Sequence, residues 1–138
     1  TMMTLTEIMT EHPFTLGPQN SVKQAMELMQ QEQIRHIPIV DEHQHLLGLV
    51  TLSDILATRE SKLLLINPER EIMTRQVASV DPHAGIKEAA LYLQRHKYGC
   101  LPVVRGRKLV GIVTESDFIT VAINLLELME EQEPPSDF

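Results

Sequence analysis

The sequence predicts an α+β fold made of two tandem β-α-β-β-α repeats that pack on each other. Three observations predict it. First, the chain matches itself: Glu7-Ile8-Met9-Thr10 recurs as Glu71-Ile72-Met73-Thr74, an offset of 64 that also pairs Pro18 with Pro82, Lys23 with Lys87, Ala25 with Ala89 and Pro38 with Pro102. Gly48 to Asp54 (GLVTLSD) then matches Gly111 to Asp117 (GIVTESD) at an offset of 63, so the second copy is one residue shorter in its turn. Second, each copy carries helix-period and strand-like stretches in the same order. Third, 138 residues at 43% apolar and 22% charged suit one compact domain, or two small units sharing a core, and exclude wholesale disorder. A repeat unit buries its apolar face against its neighbour; with only two copies, the neighbour is the other copy.

The elements follow in chain order. Thr4-x-x-Glu7 has the form of a capping box opening a short helical turn through Met9. His12 to Leu16 is a loop running into a short extended segment that Gly17-Pro18 stops. Ser21-x-x-Gln24 is a second capping box, followed by Val22, Ala25, Met26 and Met29 at helical spacing. The counterpart stripe is Ile86, Ala89, Ala90 and Leu93. Ile37 to Val40 reads as a strand in which Pro38 demands a first position or a sheet edge. After the polar turn Asp41–His45, Leu46 to Val50 is a second strand, so the two form a hairpin. Thr51 to Thr58 is helical, with Phe118 to Met129 as its longer counterpart. The expected organisation is a first repeat over 1–62, a connector over 63–70 whose Leu63–Ile66 packs, a second repeat over 71–126, and an acidic tail over 127–138 frayed by Pro134-Pro135.

Composition removes several functional classes. Twelve basic against 19 acidic residues, a formal charge of −7, argue against nucleic-acid binding, and three Phe, two Tyr and no Trp leave few stacking platforms. The charge is uneven: 67–126 is locally basic, while 127–138 holds five acids and no base. A single cysteine excludes an internal disulfide and a multi-thiolate zinc site. No apolar run approaches the roughly 20 residues of a membrane span, and the first residues carry no secretory pattern. The expectation is a cytoplasmic protein with no membrane partner.

The doubled Thr-x-x-Asp carries the chemistry. Gly48 and Gly111 permit close backbone approach at a strand end. Thr51 and Thr114 stand at the start of a helix, where free amides and the dipole favour a phosphate. Asp54 and Asp117 reach the same helix entrance, where a carboxylate suits two ribose hydroxyls, and Ser53 and Ser116 add hydroxyls. The same spacing also fits a plain capping box, and the two roles are compatible. His43-x-His45 lies on a flexible polar turn with no third ligand, so no metal is predicted. Cys100, at a strand start, reads as a small buried residue, and the Arg105 to Lys108 turn reads as solvated.

These residues resemble the CBS domain family, whose members occur as tandem pairs (Bateman modules). Ile-Met-Thr, a hydrophobic-Pro-hydrophobic-Val strand and Gly-hydrophobic-Val-Thr-x-Ser-Asp each occur twice, in order, across about residues 5 to 125. The resemblance implies pseudo-twofold packing with two clefts that bind adenosine-containing ligands: AMP, ADP or ATP, with S-adenosylmethionine also possible. It implies ribose contact at Asp54 and Asp117 and phosphate nearby at Thr51 and Thr114. It also matches adenine-facing positions to Thr15 and Ser79, and to the residues before Pro38 and Pro102, namely Ile34, Arg35 and His36, and Tyr98, Gly99 and Cys100. Gly99 and Cys100 leave space for a base and Tyr98 flanks a ring, whereas Arg35 and His36 narrow their cleft or reach a phosphate. The second repeat is therefore the expected better site.

No catalytic constellation stands out, and two repeats leave little chain for another domain. The expected function is a non-enzymatic regulatory module, a homodimer that binds a nucleotide between its repeats and signals through altered geometry to a separate effector protein. The alternative is a ligand-free dimerisation or partner-interaction module.

Overall fold

A computed structural model of the chain describes residues 4–57, 78–96 and 99–132. The first repeat contributes a 3-10 turn (Leu5–Glu7), β1 (Thr10–Glu11), α1 (Val22–Glu32), β2 (His36–Val40), β3 (Leu46–Thr51) and α2 (Leu52–Ala57). The second contributes α3 (Ile86–Arg95), β4 (Cys100–Arg105), β5 (Lys108–Thr114) and α4 (Glu115–Gln132). The connector 63–70, the repeated Ile72-Met73-Thr74, Tyr98 and the chain after Gln132 lie outside the described residues.

Local chemistry explains most elements. Ser21 caps α1 reciprocally: its Oγ accepts from Gln24 N (3.1 Å), and Gln24 Oε1 accepts from Ser21 N (2.8 Å). α1 ends where Gln33 turns left-handed at φ 56°. Val22, Ala25 and Met29 bury one face of α1, and Ala89 and Leu93 do the same on α3. Each helix packs on its own hairpin, giving two cores: one around Ile37, Ile39 and Val50, the other around Leu101, Val103 and Val113.

The two hairpins are built alike. β2 pairs antiparallel with β3, and β4 with β5, with a register shift at Ile39/Val40 in one and Val103/Val104 in the other. Leu16 bridges the open side of β2: its amide donates to Pro38 O (3.2 Å), and Val40 N donates to Leu16 O (2.9 Å). Val80 does the same for β4 through Pro102 O (3.1 Å) and Val104 N (2.8 Å). The missing amides of Pro38 and Pro102 therefore face these single-residue bridges and not the hairpin partner, as a proline at a sheet edge requires.

The N-terminal segment differs from expectation. The turn at Leu5–Glu7 forms, but Thr4 makes no side-chain cap bond. Tertiary contacts hold it instead: Thr4 bridges Gly85, Leu5 N donates to Ala84 O (3.2 Å), and Thr6 Oγ1 donates to Pro82 O (3.0 Å). Leu5 is fully buried in the second repeat's core. β1 then pairs with β5 at Ile112 and Gly111, giving a three-stranded sheet in the order β1-β5-β4. Gly111 makes this possible, since a Cβ there would stand 2.7 Å from Met9 Sδ and 3.0 Å from Thr10 O. The first repeat's leading segment thus completes the second repeat's sheet.

The repeats meet in two further places. Leu49 of β3 is buried with Cys100 and Ile112. The two hairpin turns also pair, Leu46 N donating to Arg107 O (3.0 Å) and Leu109 N to Gln44 O (2.9 Å). The Arg105 to Lys108 turn is exposed and partners the other turn through its backbone. α4 is longer than expected at both ends, because the Thr114 cap starts it at Glu115 and it continues through Gln132 into the acidic stretch.

Candidate functional site

At both helix starts the aspartate carboxylate accepts from the threonine amide. Thr51 N donates to Asp54 Oδ2 (3.0 Å) and Asp54 N donates to Thr51 Oγ1 (3.1 Å). In the second repeat Thr114 N donates to Asp117 Oδ2 (2.8 Å), and Thr114 Oγ1 lies 3.4 Å from the same oxygen. These are helix caps, with each aspartate half-buried. The first helical amide is also taken: Leu52 N donates to Arg35 O (2.9 Å), and Glu115 N donates to Gly99 O (3.1 Å). The residues before each strand proline are thereby tied to the start of the helix that follows the hairpin.

The α4 start opens on a cleft of about 650 Å³. Thr114, Glu115 and Ser116 form one wall, with Gly99 beside them. The opposite wall comes from the first repeat: Ile34, Arg35 and His36 after α1, with Pro13 and Phe14 from the loop after β1. His36 and Gly99 are in direct apposition, since a Cβ on Gly99 would lie 3.1 Å from His36 Nε2. The cleft is therefore shared between repeats. Reading it repeat by repeat, with Gly99 and Cys100 opening one site and Arg35 and His36 narrowing the other, is corrected here. Gly99 and Arg35-His36 line the same cleft, and among the described residues its basic side chain is Arg35 of the first repeat. Topology is the reason: β1 and the loop after it cross to the second sheet and carry the first repeat's surface with them.

The other expected residues are distributed as follows. Asp117 supports the cleft from behind Thr114 through the cap. Thr51, Ser53 and Asp54 gather at the α2 start and do not line this cleft. Thr15 lines a separate depression with Gly17 and Asp41. Ser79 is exposed, and Pro38 and Pro102 are buried within their strands. Cys100 is buried, paired with Thr114 across the hairpin and packed on Leu49, so it does not line the cleft. Burial pushes its thiol from 9.0 up to about 12, the opposite of what a nucleophile needs. Tyr98 lies outside the described residues. Phe14 and Glu115 are cleft residues outside the recurring motif positions. Their signals were adjacency to Thr15 and the variable position inside Thr-x-Ser-Asp.

The polar turn of the first repeat is a structural device. Asp41 Oδ1 accepts from His43 N (2.8 Å) and His45 N (2.9 Å). The His45 and His43 amides hold its carboxyl below the usual carboxylate range. Among the described residues no group of three or more His, Cys, Asp or Glu is arranged to hold a metal, and no helix is long and apolar enough to cross a membrane.

The CBS domain profile matches the chain twice, over residues 5–60 and 70–124. The chain belongs to the CBS domain family. Its two CBS repeats form the pair described above, an α+β fold of tandem units. The CBS pair is similar to a crystal structure of a Vibrio cholerae protein provisionally assigned to acetoin utilization (AcuB), at 51% identity and TM-score 0.82, covering 97% of this chain and 100% of that one. It is similar to the CBS domain pair of protein MJ0100 in complex with 5′-methylthioadenosine and S-adenosylmethionine, at 28% identity and TM-score 0.82, covering 91% and 99%. It also resembles CBSX2 of Arabidopsis thaliana in complex with AMP, at 25% identity and TM-score 0.78, covering 88% and 97%. Curated relatives are longer: the CBS pair is 35% identical over 121 residues to a homoserine O-acetyltransferase of Methanococcoides burtonii and spans 24% of its length.

Proposed function

We propose that this CBS pair is a non-enzymatic regulatory module that binds an adenosine-containing nucleotide of the AMP, ADP or ATP class. One observation carries the reading: the cleft at the α4 start draws its walls from both repeats. A ligand held there bridges the segment before β2 to the helix after β5. It therefore stabilises one relative arrangement of the repeats over others, which is the requirement for a binding event to become a signal. The CBS pairs crystallised with AMP, and with 5′-methylthioadenosine and S-adenosylmethionine, support an adenosine ligand.

In this reading Phe14 and Ile34 offer apolar surface to the purine, Arg35 and the Ser116 amide meet phosphate, and Asp117 meets ribose with the oxygen its cap leaves open. Asp54 and Thr51 serve an equivalent second cleft. The signal passes through the geometry of a homodimer to an effector. α4 supports self-association, since Ile119, Ile123, Leu126 and Met129 are each about half exposed or more.

Thermal-shift and calorimetric titration with AMP, ADP, ATP and S-adenosylmethionine test the proposal. A binding ligand raises the melting temperature by mass action. If none does so at millimolar concentration, the sensor reading fails and the same α4 surface favours a ligand-free dimerisation or partner-interaction module.

A further inference from the structure

We propose that Glu115 limits the negative charge this cleft accepts, so that its ligand is a nucleoside monophosphate and each added phosphate weakens binding. This rests on the nucleotide reading above and names the ligand class of that site. Glu115 is the first residue of α4 and lines the cleft between Thr114 and Ser116. Its side chain is exposed at the mouth of the cleft: Oε1 is 4.0 Å from the point a Cβ on Gly99 would occupy, and His36 Nε2 is 3.1 Å from that same point.

The cap hydrogen bonds at this helix start do not use the Glu115 carboxylate. The cap is made by Thr114 and Asp117, and the residue opening the first repeat's corresponding helix is Leu52. Among the described residues that line the cleft, Arg35 is the cation and Glu115 the carboxylate, with Asp117 behind Thr114 adding a further negative charge. A single phosphate is met by Arg35 and the positive end of α4. A second or third phosphate brings charge that no further cation among the described lining residues offsets, and stands against the Glu115 carboxylate. Both Glu115 and Arg35 are exposed, so this repulsion is moderate and falls as salt is raised.

Calorimetric titration of the full chain with adenosine, AMP, ADP and ATP, in magnesium-free buffer, tests this on the wild type, Glu115→Gln and Glu115→Leu. The expected wild-type order is AMP tightest among the phosphates and ATP weakest. Either substitution should raise ATP affinity by about fivefold or more while changing AMP less, and the gain should shrink at high salt. Thermal melts of the ligand-free variants check that they remain folded. ATP binding as tightly as AMP to the wild type, or an order unaltered by substitution, overturns the inference and leaves the nucleotide reading standing. Binding by none of the four overturns the nucleotide reading, and this inference with it.

Discussion

The His36 imidazole of the first repeat rests on Gly99 of the second, close enough that a Cβ at Gly99 would stand 3.1 Å from Nε2 and 3.4 Å from Cε1. Gly99 also adopts φ 76°, a conformation that costs other residues about 1–2 kcal/mol. Gly99→Ala is therefore expected to destabilise the fold by about 1–3 kcal/mol. His36→Ala in the same chain should recover the steric part and leave the backbone part. Urea unfolding of the two single variants and the double variant separates the two contributions.

Asp117→Ala and Asp54→Ala each remove the carboxylate that accepts from a threonine amide at a helix start, and each should cost about 0.5–2 kcal/mol. If Asp117 also meets ribose, its variant should lose nucleotide affinity well beyond what lost stability explains. Melting curves give the first quantity and titrations at a temperature where both variants stay folded give the second. Unchanged affinity in Asp117→Ala would leave the residue a cap alone.

Leu5 sits in the second repeat's core although it belongs to the first repeat's leading segment. Leu5→Ala should cost about 2–5 kcal/mol, the range for an emptied buried leucine site. Gly111→Ala should act more locally, pushing Met9 and Thr10 off β5. Hydrogen exchange should then accelerate at the paired positions Ile112 and Thr10 before the β4-β5 ladder is affected.

Burial raises the Cys100 thiol from 9.0 to about 12. Its neutral form is favoured in the folded state, so the stability linked to it is whole below pH 9 and is lost as pH rises from 9 toward 12. Cys100→Ala should flatten the fall of the melting temperature with pH across that window. Native protein should resist thiol alkylation at pH 8 and react quickly once unfolded.

The exposed apolar residues of α4 give a test of self-association independent of ligand. Ile123→Glu with Leu126→Glu should reduce the assembly to monomers, measured by light scattering, with circular dichroism unchanged because neither side chain is buried within the protomer. A monomeric wild type would remove the homodimer from the proposed mechanism.

Residues close in sequence were legible because their determinants are local. The Ser21–Gln24 box, the Val22, Ala25 and Met29 stripe, both hairpins and both Thr-x-x-Asp helix starts needed only spacing and residue type. The internal repeat carried the rest of the family assignment. Phe14 and Glu115 were not legible as cleft residues, since an aromatic beside a loop threonine and a variable motif position acquire meaning only from what faces them.

The sequence by itself determined two similar units, their order of elements and the chemistry at each helix start. It did not determine which repeat's loop faces which helix. Self-similarity is silent on that point, because either copy of a repeated segment could fill either position. Tertiary packing decided it. β1 bonds to β5, the two hairpin turns share two backbone hydrogen bonds, and Leu49 is buried with Cys100 and Ile112. Those contacts bring Arg35 and His36 across to Thr114, so the cleft exists only where the two repeats meet.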